Sequence, residues 1–227
     1  MKKIELLQSV ALFWDLTEEE LGYISEKMIS KGYDSGNLIF LEDSEGEQCF
    51  FVIKGSVKVT RISNDGREVI LAMLSEGEFF GEMSLLDGES RSANVVSLEE
   101  TEVLTLNRND FLDVLHDYPQ IAIQLLKEMA HRLRKSDRHI ASLSLSDAEK
   151  RIALSILRFA DDQGVIKKGQ VNIPKMPIQQ DIANMAGTSR ETVSRALSIL
   201  EKELFIERNG RALLILDYKR FIKEFDS

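Results

Sequence analysis

The chain has 227 residues, 43% of them hydrophobic and 30% charged, a globular composition that suits two modest domains better than one. A net charge of −9 speaks against a nucleic-acid binder when the chain is taken whole, but residues 1–144 carry −11 and residues 145–227 carry +2, so a basic reader joined to an acidic sensor stays open. Cys49 is the single cysteine, which excludes an intrachain disulfide and an iron–sulfur cluster held by this chain's thiolates, and no run approaches 18 apolar residues.

Taken in order, Ile4 to Val10 and Thr17 to Met28 read as helices, the second opened by a capping box of Thr17 with Glu20. From Lys31 the hydrophobic period changes to two. Leu38–Phe40, Gln48–Ile53, Ser56–Ile62, Glu68–Leu74 and Glu102–Leu106 read as short strands between glycine turns, the pattern of a β-barrel or jelly roll. Gly55, Gly66 and Gly77 fall where such turns need positive φ. Cys49, inside C-F-F-V-I, is expected to be buried and inert. His116, His131 and His139 are spaced too widely for a metal site.

Phe79 to Val95, F-F-G-E-M-S-L-L-D-G-E-S-R-S-A-N-V, interleaves an acid, an arginine, hydroxyls and small residues. Gly81 permits close backbone approach to an anion, and the amides from Glu82 through Met83 and Ser84 to Leu85 can form the first turn of a short helix aimed at it. Arg91 offers a planar fork of donors, Ser92 a hydroxyl, and Glu82 an acceptor for a sugar hydroxyl. A nucleotide pocket uses these types in this way; a β-turn bearing a surface arginine has the same spacing.

Asn109 or Asp110 is expected to cap a short helix ending near His116, and a helix of some 25 residues then starts near Pro119 and ends about Leu143. On it Leu126, Met129, Leu133, Ser136, Ile140 and Leu143 follow one another by three and four, the seam of a parallel coiled coil. Ser146 with Glu149 reads as another capping box, opening a helix to Ala160. After a turn-rich stretch come two helices about a turn at Gly187-Thr188, the second capped by Ser189. Arg190, Glu191 and Arg195 lie at its head: arginine pairs with guanine, and glutamate accepts from cytosine N4. A hairpin about Asn209-Gly210 makes a wing, with Arg208 and Arg211 at its tip placed to meet phosphate. A helical stub from Tyr218 ends the chain.

The stretch from Gly81 resembles the phosphate-binding cassette of bacterial cyclic-AMP receptor proteins, in the CRP/FNR family of transcription regulators, where G-E-[ML]-x-L precedes R-[ST]-A. The second pair of helices is similar to that family's helix-turn-helix, with Q-D-I-A from Gln180 and S-R-E-T-V-S-R-A-L from Ser189. The resemblance covers nearly the whole chain. It implies that Gly81 and the amides after it, at Met83 and Ser84 among them, bind a cyclic phosphate together with Arg91 and Ser92, while Glu82 takes the ribose 2′-hydroxyl. It implies base contacts from Ser136 and Asp137, where the family has Thr-Ser. Asp137 departs from that pattern and leaves cyclic AMP, cyclic GMP or another anionic metabolite open as the effector. It further implies base reading by Arg190, Glu191 and Arg195, with Ser189 beside them. The expected architecture is α+β: an effector domain over 1–117 built as a jelly-roll barrel, a dimerisation helix over 118–144, and a winged helix-turn-helix over 145–227. The expected protein is a cytoplasmic homodimer, with no catalytic set and no metal. Cyclic AMP is its first-choice effector, palindromic double-stranded DNA its target, RNA polymerase a further partner, and no membrane is involved. The other reading is an effector-independent DNA binder with a structural barrel.

Overall fold

A computed structural model describes residues 2–226 and divides into two compact units, the first ending at Arg134 and the second beginning at Lys135. The first unit opens with α1 (Lys2–Leu7), a 3-10 turn (Ala11–Phe13) and α2 (Glu18–Lys27). The Thr17 capping box forms as expected: the Thr17 hydroxyl accepts from the Glu20 amide at 3.3 Å, and Glu20 accepts from the Thr17 amide at 2.7 Å. Eight strands follow: β1 (Ile29–Tyr33), β2 (Leu38–Phe40), β3 (Gln48–Lys54), β4 (Ser56–Ile62), β5 (Glu68–Ser75), β6 (Phe79–Phe80), β7 (Asn94–Ser97) and β8 (Thr101–Asn107), with α3 (Met83–Asp87) between β6 and β7. α4 (Arg108–Asp117) and α5 (Pro119–Leu145) come next. The cap of α4 is Asn107, whose side chain accepts from the Asp110 amide, and not Asn109 or Asp110; the chain turns as soon as β8 ends, so the cap falls earlier.

The strands form two antiparallel four-stranded sheets, ordered β1-β8-β3-β6 and β2-β7-β4-β5. The expected barrel does not close: among the described residues no ladder joins one sheet to the other, and the arrangement is a sandwich. β6 is only two residues long, since Gly81, at φ +79°, turns the chain away toward α3. Side chains of β3 explain why C-F-F-V-I is apolar without a break. Phe50 and Val52 point into the core between the sheets, with Phe80, Val95 and Val103. Cys49, Phe51 and Ile53 point the other way, into a core shared with α1, α2, α4 and the start of α5 through Leu7, Leu21, Phe111 and Ile121. A strand buried on both faces cannot alternate. Cys49 is sealed here, and burial pushes its thiol pKa well up. Gly55, Gly66 and Gly77 all have the expected positive φ.

In the second unit α6 (Ala148–Gln163) is capped by Asp147, which accepts from the Lys150 amide at 2.8 Å. The expected Ser146–Glu149 box is displaced by one residue because an aspartate directly after Ser146 is an equally good cap. β9 (Val165–Lys167) and β10 (Gln170–Ile173) form a hairpin, followed by α7 (Gln179–Ala186), α8 (Arg190–Lys202), the wing strands β11 (Ile206–Asn209) and β12 (Ala212–Ile215), and α9 (Tyr218–Phe225). The sheet order is β11-β12-β10-β9. Ile152, Ile156, Ala183, Val193, Leu197 and Leu213 are buried and hold the helices and wing together.

Candidate functional site

In the first unit β3 carries β6 beside it, with Phe50 opposite Phe80 and Phe51 opposite Phe79, and the chain leaves β6 through Gly81 into the Glu82 cap of α3. Arg91 lies across this corner, only 4% exposed. Its Nη1 donates to the Gly81 carbonyl at 2.6 Å and to Ser84 Oγ at 3.2 Å, and its Nη2 donates to the Gln48 carbonyl at 2.6 Å. The guanidinium carbon stands 4.2 Å from the centre of the Phe40 ring. Of the five N–H groups of a guanidinium, three are therefore engaged. The Nε–H is buried with no partner, and Nη2 keeps one N–H. Burial lowers the arginine's pKa, as expected for a charge held away from water.

Two glycines allow this packing. A Cβ on Gly81 would stand 2.7 Å from Arg91 Nη1. A Cβ on Gly46 would meet Ser84 Cβ and Oγ and lie 3.1 Å from Arg91 Cζ. Gly46 sits in the acidic turn E-D-S-E-G-E and was invisible as a site residue, because its role depends on a neighbour 45 positions away.

Glu82, 2% exposed, faces the same corner. Its Oε1 accepts from Arg132 Nη1 at 3.3 Å, while Oε2 is buried without a partner. Burial raises its pKa, against the opposing pull of Arg132 and then Arg91. Arg132, on α5, joins this candidate site and is not among the site residues expected from the sequence. It also donates to the Phe79 carbonyl at 2.7 Å and to Glu128 at 3.0 Å, and lies over the Phe79 ring. Ser84 is buried against Arg91, Met83 and Ser92 are exposed, and Ser92 Oγ lies 3.9 Å from Met83 Sδ. The Leu85 amide is taken by the Glu82 carbonyl at 3.0 Å and is not available to a ligand. Ser136 and Asp137 are exposed on α5 within the second unit.

This corner holds one guanidinium donor, the Nε–H of Arg91, and one carboxylate oxygen, Oε2 of Glu82, both desolvated and unsatisfied. Leaving such groups bare is costly. An anion carrying a neighbouring hydroxyl fits them: the anion on Arg91 and the hydroxyl on Glu82. Among the described residues no group of three or more His, Cys, Asp or Glu side chains could hold a metal ion.

Along α5, Leu126, Leu133 and Ile140 are 68%, 64% and 62% exposed, seven residues apart. Met129 instead packs on the first unit's own core, and Leu143 lies against the turn at Gly187.

In the second unit Gly187, at φ +58°, ends α7, and Ser189 caps α8 by accepting from the Thr192 amide at 3.2 Å. Arg190, Glu191 and Arg195 are all exposed at the head of α8. The Glu191 carboxyl is held below the ordinary carboxylate range, first by its own backbone N–H and then by the Ser189 hydroxyl. A groove runs from α7 and α8 to the wing, lined by Gln179, Gln180, Arg190, Arg208 and Arg211. Arg211 donates twice to the Met176 carbonyl, at 3.1 and 2.9 Å, yet stays exposed. Arg208 is paired with Glu201, which leaves it less free than the wing-tip expectation had it.

Comparison with known proteins agrees with both halves. Residues 30–118 match the cyclic nucleotide-binding domain family, and residues 150–223 match the Crp-like helix-turn-helix domain family. The chain is 38% identical to the cyclic AMP receptor protein of Thermus thermophilus over 85% of this chain and 86% of that one. It is 28% identical to a CRP-like cAMP-activated global transcriptional regulator of Mycobacterium tuberculosis over 96% and 98% of the two chains. Its fold is similar to that of a CooA mutant from Carboxydothermus hydrogenoformans, with a TM-score of 0.80, 25% identity and 99% of each chain covered. Among the described residues no helix is long and apolar enough to cross a membrane.

Proposed function

From the premise that this chain belongs to the CRP/FNR family of DNA-binding transcription regulators and carries a cyclic-nucleotide-binding domain, we propose that it works as a cytoplasmic homodimer, controlled by a cyclic nucleotide and reading a palindromic operator. Cyclic AMP is the first-choice effector. The observation that carries this reading is the pair of unsatisfied groups at the buried corner: the Nε–H of Arg91 and the Oε2 of Glu82. A cyclic phosphate accepts from the free edge of Arg91 and from the Ser92 hydroxyl, and a ribose hydroxyl donates to Glu82. The carbonyls of Gly81 and Gln48 already fix the plane of the Arg91 guanidinium. Arg132 opposes the upward push that burial exerts on the Glu82 pKa and fixes the other carboxylate oxygen, Oε1.

The apolar stripe of Leu126, Leu133 and Ile140 supports pairing with a second copy, since three large side chains at heptad spacing are left in water on the single chain. Two recognition helices in a dimer enter successive major grooves about 34 Å apart, which is why the operator is read as a palindrome. Effector binding shifts the population of the DNA-competent arrangement to the extent that it binds that arrangement more tightly. RNA polymerase is the natural further partner of such a regulator, and no catalytic step is assigned to any residue. Asp137, a carboxylate that can accept from two guanine donors, supports a second reading in which cyclic GMP is the effector.

Calorimetric titration with cyclic AMP and cyclic GMP tests both, with Arg91→Lys alongside. Saturable binding is expected in the wild type, weakened about a hundredfold in Arg91→Lys, which keeps the charge and loses the planar fork. Binding of neither nucleotide would favour a regulator whose sandwich is structural.

A further inference from the structure

We propose that Arg151 is a positioning residue that fastens the turn of the helix-turn-helix to the elbow between α5 and α6. Arg151 is the fourth residue of α6, where a basic side chain sits at the unfavourable end of its own helix dipole. Its guanidinium turns instead to the C-terminus of α7, where the last carbonyls lack helical partners and a cation is favoured. Nε donates to the Ala186 carbonyl at 2.7 Å and Nη2 to the Gly187 carbonyl at 3.2 Å. The remaining nitrogen, Nη1, donates to the Ser146 carbonyl at 2.8 Å. Ser146 is the one residue between the end of α5 at Leu145 and the Asp147 cap of α6, and its own amide bonds back to Ser142 at 3.1 Å.

One planar group thus spans three carbonyls from two places far apart in sequence. An independent contact joins the same places: Leu143, on the last turn of α5, has its Cδ2 3.3 Å from where a Cβ on Gly187 would stand. Gly187 lies two residues before Ser189, the cap of α8, and Arg190 and Glu191 follow directly. The backbone path from the clamp to the head of α8 is therefore only two peptide units long. A change in the Ser146 backbone cannot leave the Gly187 turn where it was without breaking one arm of the Arg151 fork, so the elbow sets where the head of α8 points. This role rests on α8 being the base-reading helix, as proposed above.

The test compares the full chain with Arg151→Gln and Arg151→Lys by hydrogen–deuterium exchange and by DNA affinity. Lysine keeps the charge but cannot hold three carbonyls in one plane. Amides over 142–147 and over 183–191 are expected to exchange faster together in both variants. Affinity for a duplex selected from a random pool by the wild type is expected to fall about tenfold, with affinity for an unrelated duplex unchanged within error. A proportional loss of both affinities, or faster exchange in one segment without the other, would make Arg151 a stabilising residue only and overturn the proposal. If the wild type selects no preferred duplex, the base-reading assignment has failed, and the exchange pattern alone still decides for or against the clamp.

Discussion

Glu82 and Arg132 form an ion pair of 3.3 Å in which the acid is almost wholly buried and the arginine is tied down at two further points, the Phe79 carbonyl and Glu128. The carboxylate is held at a cost to the fold. Its pKa is raised by burial above the ordinary 4.5, so stability linked to Glu82 is present below that value and is lost as pH rises through the folded value. Glu82→Gln is expected to unfold at higher temperature than the wild type at neutral pH, with the gap closing as pH falls through the raised folded value and gone below 4.5. The same variant is expected to bind cyclic nucleotide about tenfold to a hundredfold more weakly, through loss of a charged acceptor. Melting curves at several pH values and a titration measure the two effects; equal stability at every pH would mean that Arg132 offsets the burial completely.

Leu133 stands in water on the single chain, so Leu133→Asp is expected to leave the circular dichroism of the protein unchanged. Set against a second copy it buries an unpaired charge, and the dimer dissociation constant is expected to rise at least about a hundredfold. Sedimentation velocity over a concentration series measures it. A variant that dimerises like the wild type would place the interface elsewhere.

Base reading and backbone contact separate in the second unit. Glu191→Ala is expected to relax preference at one symmetric pair of operator positions, by about 1–3 kcal/mol, with non-specific affinity unchanged or slightly higher. Arg211→Ala is expected to weaken all sequences alike and lower the salt slope. Selection from a random duplex pool at one fixed salt concentration checks both. An altered sequence preference for Arg211→Ala together with an unaltered one for Glu191→Ala would put the wing, and not α8, in the major groove.

His139 and Arg158 supply a pH dependence of their own. The His139 ring nitrogen Nδ1 accepts from Arg158 Nη1 at 2.8 Å, so the imidazole is neutral in this arrangement. Burial, and then the Arg158 charge, hold its pKa below the ordinary 6.5. Lys135 and Arg138 on α5 and Asp162 on α6 are the other charges at this seam, with Lys135 paired to Asp162. A depressed pKa means that the contribution is present above 6.5 and lost as pH falls through the folded value. His139→Gln keeps an acceptor and cannot titrate, so the stability curve of the variant is expected to be flatter below pH 6.5 than that of the wild type. Parallel curves in urea at a series of pH values would assign the acid sensitivity to other groups.

Local chemistry was legible in the sequence where one residue determines one structure. Thr17 with Glu20, Ser189, Gly187 and the Asn209-Gly210 turn all formed where their side chains or their tolerance of positive φ required. Caps shifted by a residue or two where neighbours were equally able, as with Asp147 beside Ser146 and Asn107 beside Asn109. β6 was not legible as a strand, because two phenylalanines carry no period, and only the partner strand β3 gives them one. Arg132 was hidden for a different reason. It lies in H-R-L-R-K-S-D-R, among basic residues of the same type, and only the fold brings one of them against Glu82. Sheet closure was beyond the sequence as well, since glycine-punctuated strands suit a sandwich as well as a barrel.

The burial of Cys49 has a practical side. The chain's only thiol is enclosed, and its raised pKa keeps it protonated, so thiol-directed reagents find the folded protein inert. A single cysteine introduced at the exposed wing-tip position Asn209 would then be the one reactive sulfur per chain. Spin or fluorescent probes attached there would report the separation of the two wings in a dimer directly, before and after nucleotide is added, without removing any native residue from the core.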